Sequence, residues 1–345
     1  MSRVLTALSG GVDSAVTAAL LMQAGHTVGG ATMVLHDSAE AELADARRSA
    51  ERLGIAFHAF RWREEFFRLV QTPFIRTYQA GQTPNPCVIC NKTIKFGLFL
   101  DEAHALGYDK MATGHYARIE RDRGSGRWLL LRARDAAKDQ SYVLYSLSQE
   151  RLSQVLLPMG EMTKAEARAL AQSLGLAVAQ KHDSQDICFV PDGDYMRFLL
   201  EHGVRPQPGH FLGMDGRDFG PHRGQEAYTL GQRRGLDIPY GTRIYVVDKR
   251  GSDVIIGPNE ALFSRRVFVR DLNWIAFDAP PEGLRAQAKL RYTPKTAACT
   301  VHLTQEGAEL LFDEPQRAVT PGQAAVLYDG DVVLGGGTIC GSAAD

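Results

Sequence analysis

Residues 9–14, Ser-Gly-Gly-Val-Asp-Ser, lie between the apolar run Val4–Leu8 and the helix-forming run Ala15–Ala24. This order predicts a strand, a glycine turn and a helix N-terminus. Glycines let backbone N–H groups approach an anion, and a helix start adds unpaired N–H donors and partial positive charge. The stretch therefore predicts a phosphate-binding loop, with a tight turn that binds nothing as the alternative. It is not a Walker A loop, because Gly-Lys-Ser/Thr is absent, and its glycine spacing differs from the dinucleotide fingerprint.

Cys90 is a candidate nucleophile. It follows Thr83-Pro84-Asn85-Pro86 and Cys87, and the two prolines predict a rigid, extended loop that leads into a helix. A thiol near a helix start, with Lys92 and Lys95 close by, is expected to have a lowered pKa. The sequence therefore predicts a thiolate that is nucleophilic at neutral pH.

Cys188 lies where the polar stretch Asp183–Asp186 gives way to apolar residues. Neighbouring carboxylates predict a raised pKa for this thiol, which favours a sulfur carrier over an attacking group. Other readings stay open, because Cys87 and Cys90 could be half of a zinc site or a redox pair. With Cys188 they could also ligate an iron–sulfur cluster. No residue is assigned as a metal ligand. Combined with the phosphate loop, the cysteines suggest activation of an oxygen and its displacement by sulfur.

The first part of the chain alternates apolar runs with helix-periodic runs, which predicts an α/β fold with a doubly wound parallel sheet. The phosphate loop then lies at the carboxyl edge of the sheet, where such folds bind ligands. The predicted strands are Val4–Leu8, Val28–Met33, Ala56–Phe60 and Lys110–Thr113, and the predicted helices are Ala15–Ala24, Ala41–Leu53, Phe66–Tyr78, Thr93–Leu106, Ser148–Leu156 and Thr163–Leu174, the last with a capping box between Thr163 and Glu166.

The later part of the chain has a different character. Glycine and proline are frequent between Pro206 and Gly224, and from about Ser264 short alternating strands predict a small all-β barrel. We expect an ATP-binding domain over residues 1–204, a small central domain over 205–264 and the barrel over 265–345. The predicted hairpins are Ile119–Asp122 with Trp128–Arg132 and Val246–Val247 with Val254–Ile256, and the predicted barrel strands are Val267–Leu272, Ala286–Leu290, Ala298–Leu303, Glu309–Phe312, Ala324–Leu327 and Val332–Leu334.

The number of cysteines and the distribution of charge limit which cellular compartment and which binding partners are expected. The five cysteines are scattered and odd in number, so no disulfide framework is expected, and Cys299 and Cys340 are predicted to be small buried hydrophobes. With no long apolar run and a strand almost at the N-terminus, we expect no membrane span, no signal segment and a cytoplasmic location. Residues 205–295 carry a net charge of +5 and residues 296–345 a net charge of −6. A polyanion could bind residues 205–295, the middle section of the chain. Alternatively, the positively charged side chains of this section could simply face solvent.

Distinctive motifs run through nearly the whole chain: Ser9–Ser14, Thr83–Lys92, Ala112–Tyr116, Lys138–Tyr142, Asp183–Phe189, Tyr228–Arg233, Arg291–Tyr292, Val319–Gln323 and Leu334–Gly337. In these motifs the chain resembles the tRNA-specific 2-thiouridylases, a family of the PP-loop ATP pyrophosphatase superfamily that places sulfur on C2 of the wobble uridine. The resemblance implies an adenine nucleotide alpha hydrolase-like PP-loop domain, a small central domain and a C-terminal β-barrel.

The resemblance also implies roles for particular residues. Cys90 matches the nucleophile and Cys188 the persulfide carrier of the family. Cys90 would either attack the persulfide, which frees sulfide and leaves a Cys90–Cys188 disulfide, or help to expel the sulfur. The positions that match ATP-binding residues are Ala7, Leu8, Ser9, Gly10, Gly11, Val12, Asp13, Ser14, Met33 and Gly114. The positions that match contacts to tRNA or its target base are Asn85, Pro86, Cys87, His115, Lys138, Asp139, Gln140, Arg291, Tyr292 and Gln323.

The implied reaction uses ATP and Mg²⁺ to adenylate the C2 oxygen of uridine 34, after which persulfide sulfur replaces that oxygen. The implied partners are the tRNAs for Lys, Glu and Gln and a cysteine desulfurase or sulfur-relay protein, and we expect a monomer. Three alternatives remain at this point. They are an iron–sulfur-dependent tRNA thiolase, a PP-loop ligase that delivers ammonia instead of sulfur, and an RNA-binding or sulfur-relay scaffold with a degenerate loop.

Overall fold

The computed structural model describes residues 1–36, 40–176, 187–239, 241–293 and 295–344. The described residues up to residue 176 include a parallel sheet whose strands have the order β3-β2-β1-β4-β7. The predicted parallel α/β sheet is thus confirmed, with β1 at its centre. The strands up to residue 176 are β1 (Arg3–Ala7), β2 (Thr27–Val34), β3 (Ala56–Arg61), β4 (Lys110–Ala112), β5 (Ala117–Arg121), β6 (Trp128–Arg132) and β7 (Val155–Leu156).

Helices cover both faces of this sheet because side chains alternate along its strands. Val4 of β1 packs with Leu21 on one face, and Leu5 packs with Phe99 and Leu100 on the other. The helices are α1 (Val12–Gln23), α2 (Glu40–Leu53), α3 (Arg63–Phe66), α4 (Thr72–Gln79), α5 (Pro86–Cys90), α6 (Phe99–Ala105), α7 (Gln149–Ser153), α8 (Lys164–Ser173) and α9 (Tyr195–Glu201), and π-helical stretches at Phe67–Gln71 and Asn91–Leu98 join α3 to α4 and α5 to α6.

Two helix predictions differ from the structure. The helix predicted over Ser148–Leu156 stops at Ser153, since Val155 and Leu156 pair with Met111 and Ala112 as the edge strand β7. The helix predicted to begin at Thr93 already begins at Pro86, because proline fits the first position of a helix, where its missing N–H is not needed. The capping box of Thr163 and Glu166 is confirmed.

The central part of the chain forms a small mixed sheet with the order β10-β11-β8-β9. Its hairpin of β10 and β11 was predicted, whereas β8 and β9 were hidden among glycines and prolines. The hydrophobic core beneath this sheet includes Phe211, Tyr228, Val246 and Ile256. The strands are β8 (His210–Gly213), β9 (Asp218–Pro221), β10 (Tyr245–Arg250) and β11 (Asp253–Gly257).

The C-terminal strands form a closed antiparallel barrel in the order β12-β15-β14-β13-β16-β17, and pairing of β12 with β17 closes it. The predicted barrel is therefore confirmed, while the exact domain boundaries stay predictions. The predicted hairpin of β5 and β6 also exists, but β6 pairs with β17, so it extends the barrel sheet. The strands are β12 (Phe263–Trp274), β13 (Leu284–Lys289), β14 (Ala297–Thr304), β15 (Gly307–Arg317), β16 (Ala324–Asp329) and β17 (Val332–Ala343). In the described ranges, none of the helices has the length and apolar character needed to span a membrane.

A buried ion pair joins the first part of the chain to the barrel. Lys289 Nζ of β13 lies 3.2 Å from Asp139 Oδ2, and the side chains are only 7% and 4% exposed. The Asp139 carboxylate also accepts hydrogen bonds from the N–H and hydroxyl of Ser141, at 3.1 and 3.0 Å, and from the N–H of Ala133 at 3.2 Å. The buried carboxylate is thus fully satisfied, and its cation comes from another domain.

Replacing the lysine of this pair should destabilise the protein. In Lys289→Met the Asp139 carboxylate stays buried without its cation, which should lower the free energy of unfolding by about 3–5 kcal/mol. Urea denaturation followed by tryptophan fluorescence measures the change. As a matched control, Arg285→Met removes a cation from an exposed pair with Asp313 and should leave the midpoint nearly unchanged. An unchanged midpoint in Lys289→Met would contradict the assigned role.

Candidate active site

The phosphate loop connects β1 to α1 at the carboxyl edge of the parallel sheet. Gly10 has φ of 68°, and a Cβ at this position would lie 2.6 Å from the carbonyl oxygen of Glu42 and 2.9 Å from Asp45 Cβ. Gly11 precedes α1 with φ of −107° and has no side chain that could cap the helix. The first N–H groups of α1 therefore have no side-chain cap at Gly11, as an anion site requires.

Internal hydrogen bonds hold this loop in shape. The buried Ser14 hydroxyl accepts a hydrogen bond from the N–H of Ser9, at 3.1 Å, and donates one to the carbonyl of Gly11, at 3.0 Å. The hydroxyl of Thr32 on β2 donates to the carbonyl of Leu8. The loop is thus preformed, and each hydroxyl of the motif has a structural partner.

Two of the other predicted ATP-binding residues lie on neighbouring strand ends. A Cβ on Gly114, after β4, would come within 2.9 Å of the backbone of Asp13 and Ser14, so only glycine allows this close approach. Met33 is half-buried on β2, the strand next to β1. Residues 7–14, Met33 and Gly114 therefore share one edge of the sheet, and their contact with ATP stays a prediction.

Lys164, the first residue of α8, contacts this loop and was not predicted from the sequence. Its Nζ lies 2.8 Å from Oδ2 and 2.9 Å from Oδ1 of Asp13, and the hydroxyl of Tyr116 donates to Oδ1 at 2.8 Å. The capping box at Thr163 predicted where the helix begins. No spacing in the sequence, however, connects its first residue to Asp13, which lies 151 positions earlier.

The prediction of a low pKa for Cys90 was wrong. The residue is the last of α5, within a continuous helical run, and packs with Phe66, Val70 and Ile94 with 8% of its surface exposed. Burial raises the pKa of its thiol to about 11, and the nearby positive charge of Lys95 only partly offsets this effect. Desolvation of the thiolate outweighs both the lysine and the helix position.

For Cys188, the predicted raised pKa agrees in direction. The residue as a whole is exposed, yet surrounding protein desolvates the thiol and raises its pKa to about 12, with smaller contributions from Cys90, Cys87 and Glu42. Burial is thus the main cause. The carboxylates at 183 and 186, to which the prediction was attributed, lie outside the described residues.

Two residues link the surroundings of the cysteines to those of the phosphate loop. The carbonyl oxygen of Glu42, on α2, lies where a Cβ on Gly10 would point, and the Glu42 carboxylate is an electrostatic neighbour of Cys188. On the other side, His115 follows Gly114, and Lys95 acts electrostatically on His115 as well as on both cysteines. The two thiols, both free in this structure, therefore lie close to the loop.

The predicted tRNA-contacting residues occupy several settings. Asn85 and Pro86 begin α5, Cys87 is exposed on it, and Lys138 is half-buried.

Asp139 and His115 are buried. Burial together with the charge of Lys95 lowers the pKa of His115 well below its usual range, so the imidazole ring is neutral. Tyr292 is exposed, and its hydroxyl donates to the carbonyl of Asp139 at 3.3 Å. Gln140 accepts a hydrogen bond from the N–H of Tyr116. Contact of these residues with tRNA stays a prediction.

Gln323 and Arg291 fasten the barrel to its neighbours. Gln323 Nε2 donates to the carbonyls of Thr83 and Pro84, at 3.0 and 3.1 Å, which fixes the segment that leads to Cys90. Arg291 Nη2 donates to the carbonyls of Ala318 and Leu230, at 2.6 and 3.3 Å. The barrel thus holds the segment that leads into α5, the helix of Cys87 and Cys90, which is called the cysteine helix below.

No three His, Cys, Asp or Glu side chains are grouped so that they could hold a metal ion, within the portions of the chain that the structure describes. Cys87, Cys90 and Cys188 all belong to those portions. They are therefore not arranged as a metal-ligand set in this structure.

A glycine loop between β1 and α1, at the carboxyl edge of a doubly wound parallel sheet, is the arrangement of a PP-loop domain. Family models described as the tRNA methyl transferase HUP domain, the tRNA methyl transferase PRC-barrel domain and the aminomethyltransferase beta-barrel domain match residues 2–192, 197–257 and 264–339. The curated relatives identify the family more closely.

The protein named tRNA-specific 2-thiouridylase MnmA from Carboxydothermus hydrogenoformans is 46% identical over 98% of this chain and 97% of its own length. Its namesake from Heliobacterium modesticaldum is 47% identical over 97% of this chain and 92% of its own. The chain belongs to the tRNA-specific 2-thiouridylase family. A 4-thiouridine synthetase–RNA complex with bound ATP is similar over 58% of this chain and 50% of its own, with 14% identity and a TM-score of 0.36, which is too weak to add to this assignment.

The rate of alkylation at different pH values should show how strongly burial disfavours the thiolate form of Cys188. Because its pKa is raised to about 12, the rate with iodoacetamide should increase about tenfold per unit between about pH 7 and pH 9.5. A short unstructured peptide with one cysteine, used as a reference, should level off near the ordinary cysteine pKa of about 8.5. Peptide mass spectrometry measures the rate, which Glu42→Gln should increase and Glu40→Gln, on the same helix, should not. A plateau for Cys188 below about pH 9 would contradict the raised pKa.

Loss of the Gln323 amide donor should loosen the segment before Cys90. Gln323→Glu keeps the size of the side chain but sets a carboxylate against two carbonyls, so two hydrogen bonds worth about 1 kcal/mol each are lost. Hydrogen exchange measured by mass spectrometry should become faster across residues 82–90. The control Gln316→Glu, on β15, should leave this segment unchanged. Unaltered protection in Gln323→Glu would show that the barrel does not hold it.

Proposed function

We propose that this protein transfers sulfur to C2 of the wobble uridine of tRNA at the expense of ATP. The observation that carries the proposal is that a phosphate loop and two thiols lie in one region. The backbone of Glu42 lies beside Gly10, and Glu42 and Cys90 are both electrostatic neighbours of Cys188. The full-length similarity to relatives named tRNA-specific 2-thiouridylase supports the same reaction.

The phosphate loop serves the first step. The uridine C2 oxygen attacks the α-phosphorus of ATP, a new oxygen–phosphorus bond forms, the bond to pyrophosphate breaks, and uridine N3 releases its proton. N–H groups at the start of α1 stabilise the charge that develops on pyrophosphate. This step converts the uridine C2 oxygen, which is a poor leaving group, into one that can depart as part of AMP.

Mg²⁺ would neutralise phosphate charge when it accompanies ATP. In nucleotide sites it is held largely by phosphates and water, with one or two carboxylates. Asp13 is the carboxylate within the loop, and in this structure it is paired with Lys164. The residues therefore fit an ion that arrives with the nucleotide better than an ion held by a protein cage.

The two thiols serve the second step, which starts from a persulfide on Cys188. The Cys90 sulfur attacks Cys188 Sγ and loses its proton to solvent. A Cys90–Cys188 bond forms, the persulfide bond breaks, and its electron pair leaves with the terminal sulfur as hydrosulfide. Hydrosulfide adds to C2, AMP departs with the electrons of the carbon–oxygen bond, and the sulfur-bound proton moves to N3. The raised pKa of the Cys90 thiol keeps it protonated before this step.

The substrate side requires an unstacked base, as in other enzymes that modify bases. Asn85, Pro86 and Cys87 stand at the start of the helix that carries Cys90, so they are placed to meet that base. The exposed Tyr292 and the basic middle section would contact the anticodon arm through shape and phosphates. Because each cycle ends in a disulfide, we propose a reducing cytoplasm and a sulfur-relay protein or cysteine desulfurase as donor.

Single cysteine variants test this mechanism. With unmodified tRNA, ATP, cysteine and a cysteine desulfurase, Cys90→Ser and Cys188→Ser should each form less than about 1% of the wild-type 2-thiouridine, because thiolate chemistry is lost. Nucleoside mass spectrometry measures the product. The prediction that Cys340 is buried was wrong, since this cysteine of β17 is exposed. Cys340→Ser is therefore the matched control and should retain activity.

Release of pyrophosphate separates the two steps. It should remain dependent on tRNA in both inactive variants, since adenylation precedes the chemistry of sulfur. Full 2-thiouridine formation by either cysteine variant would remove that residue from the mechanism. Wild-type protein that releases no pyrophosphate with tRNA would overturn the proposed function.

A further inference from the structure

The pair of Lys164 and Asp13 sets a cation beside the phosphate loop. Asp13 lies in the first turn of α1, directly after the loop glycines, and Lys164 is the first residue of α8. The ammonium is 2.8 and 2.9 Å from the two carboxylate oxygens, and the lysine side chain is 13% exposed. The charge is therefore fixed next to the N–H groups that form the anion site.

The start of α8 is held so that this lysine has little freedom. Thr163 and Glu166 form a reciprocal capping box, which sets the first turn of the helix. The N–H of Lys164 donates to Asp135 Oδ2 at 3.0 Å. The backbone that carries the ammonium is thus fixed independently of Asp13.

A purely structural role does not account for the pair. Helices α1 and α8 already pack through apolar residues that include Val16, Ala167 and Ala171, and Tyr116 already donates to Asp13. A carboxylate in an anion loop repels phosphate unless a cation neutralises it. The loop also lacks the lysine that a Walker A motif places against the β- and γ-phosphates.

We propose that Lys164 is the phosphate-binding lysine of this loop. Asp13 holds its ammonium in place, and the ammonium contacts the pyrophosphate part of ATP and stabilises pyrophosphate as it leaves. The inference rests on the proposed use of ATP, and it assigns to a distant helix the task that a Walker A loop gives to its own lysine.

Calorimetric binding of Mg-pyrophosphate, Mg-ATP and AMP, without tRNA or a sulfur donor, tests the proposal. Lys164→Met should weaken binding of pyrophosphate and ATP about 10- to 100-fold, the usual effect of losing a charged hydrogen bond, and should change AMP binding little. Arg168→Met removes a cation from the same helix and is the matched control, with unchanged affinities. Equal pyrophosphate affinity in Lys164→Met and wild type would overturn the inference.

A double variant distinguishes phosphate contact from simple neutralisation of Asp13. If Lys164 contacts phosphate, Asp13→Asn with Lys164→Met should bind pyrophosphate more tightly than Lys164→Met alone, because the repelling carboxylate is gone, but still clearly more weakly than wild type. Recovery to wild-type affinity would overturn the proposal, because the lysine would then only cancel the carboxylate. Circular dichroism and thermal melting check the fold of each variant.

The wild-type protein gives a measurement that no folding defect can affect. Saturating pyrophosphate should slow acetylation of Lys164 by acetic anhydride, and should not slow that of the exposed Lys92; absence of protection would count against the proposal. If wild-type protein bound neither ATP nor pyrophosphate, the proposed use of ATP would fail. If it bound both without needing Lys164, only this inference would fail.

Discussion

The buried pair of Asp139 and Lys289 is the constraint on which the rest of the architecture depends. A carboxylate with 4% exposure requires a cation, and here the cation comes from the barrel. This requirement fixes β13 against the segment that follows the β5–β6 hairpin. Once the barrel is fixed there, Gln323 reaches Thr83 and Pro84, and the orientation of the cysteine helix relative to the phosphate loop is set.

Burial also governs the sulfur chemistry. Both thiols have raised pKa values because their thiolates would be poorly hydrated. Such a site protects sulfur from stray electrophiles and oxidants, which react with thiolates. In the proposed mechanism, the same burial would slow the attack by Cys90. The positive charge of Lys95 favours ionisation of both cysteines and so opposes the desolvation. The candidate site therefore combines thiols that are mostly protonated at neutral pH with a cation that acts on both of them.

Local patterns predicted most of the fold, because glycine loops, caps and alternating strands are local signals. The barrel strands, the parallel sheet and the phosphate loop all followed from such patterns. The edge strand β7 did not, since two residues acquire strand geometry only by pairing with β4. Strands β8 and β9 were equally hidden, because their glycines and prolines resemble a loop.

The sequence predicted the residue types of the candidate site, but not the pKa values and charge pairs of its residues. The motif containing Cys90 indicated a reactive thiol, yet its pKa depends on Phe66, Val70 and Ile94, which come from elsewhere in the chain. Lys164 was missed for the same reason, because its partner Asp13 is distant in sequence. Ionisation and charge pairing are properties of tertiary packing, to which local spacing gives no access.

The pairing of β6 with β17 has a consequence for how this chain can be divided. A fragment that ended before the barrel would carry β6 with a row of unsatisfied backbone N–H and C=O groups along one side. Exposed edges of this kind recruit strands from other molecules and lead to self-association. The N-terminal region is therefore not a free-standing module, and an ancestor or an engineered form without the barrel would need another cover for that edge.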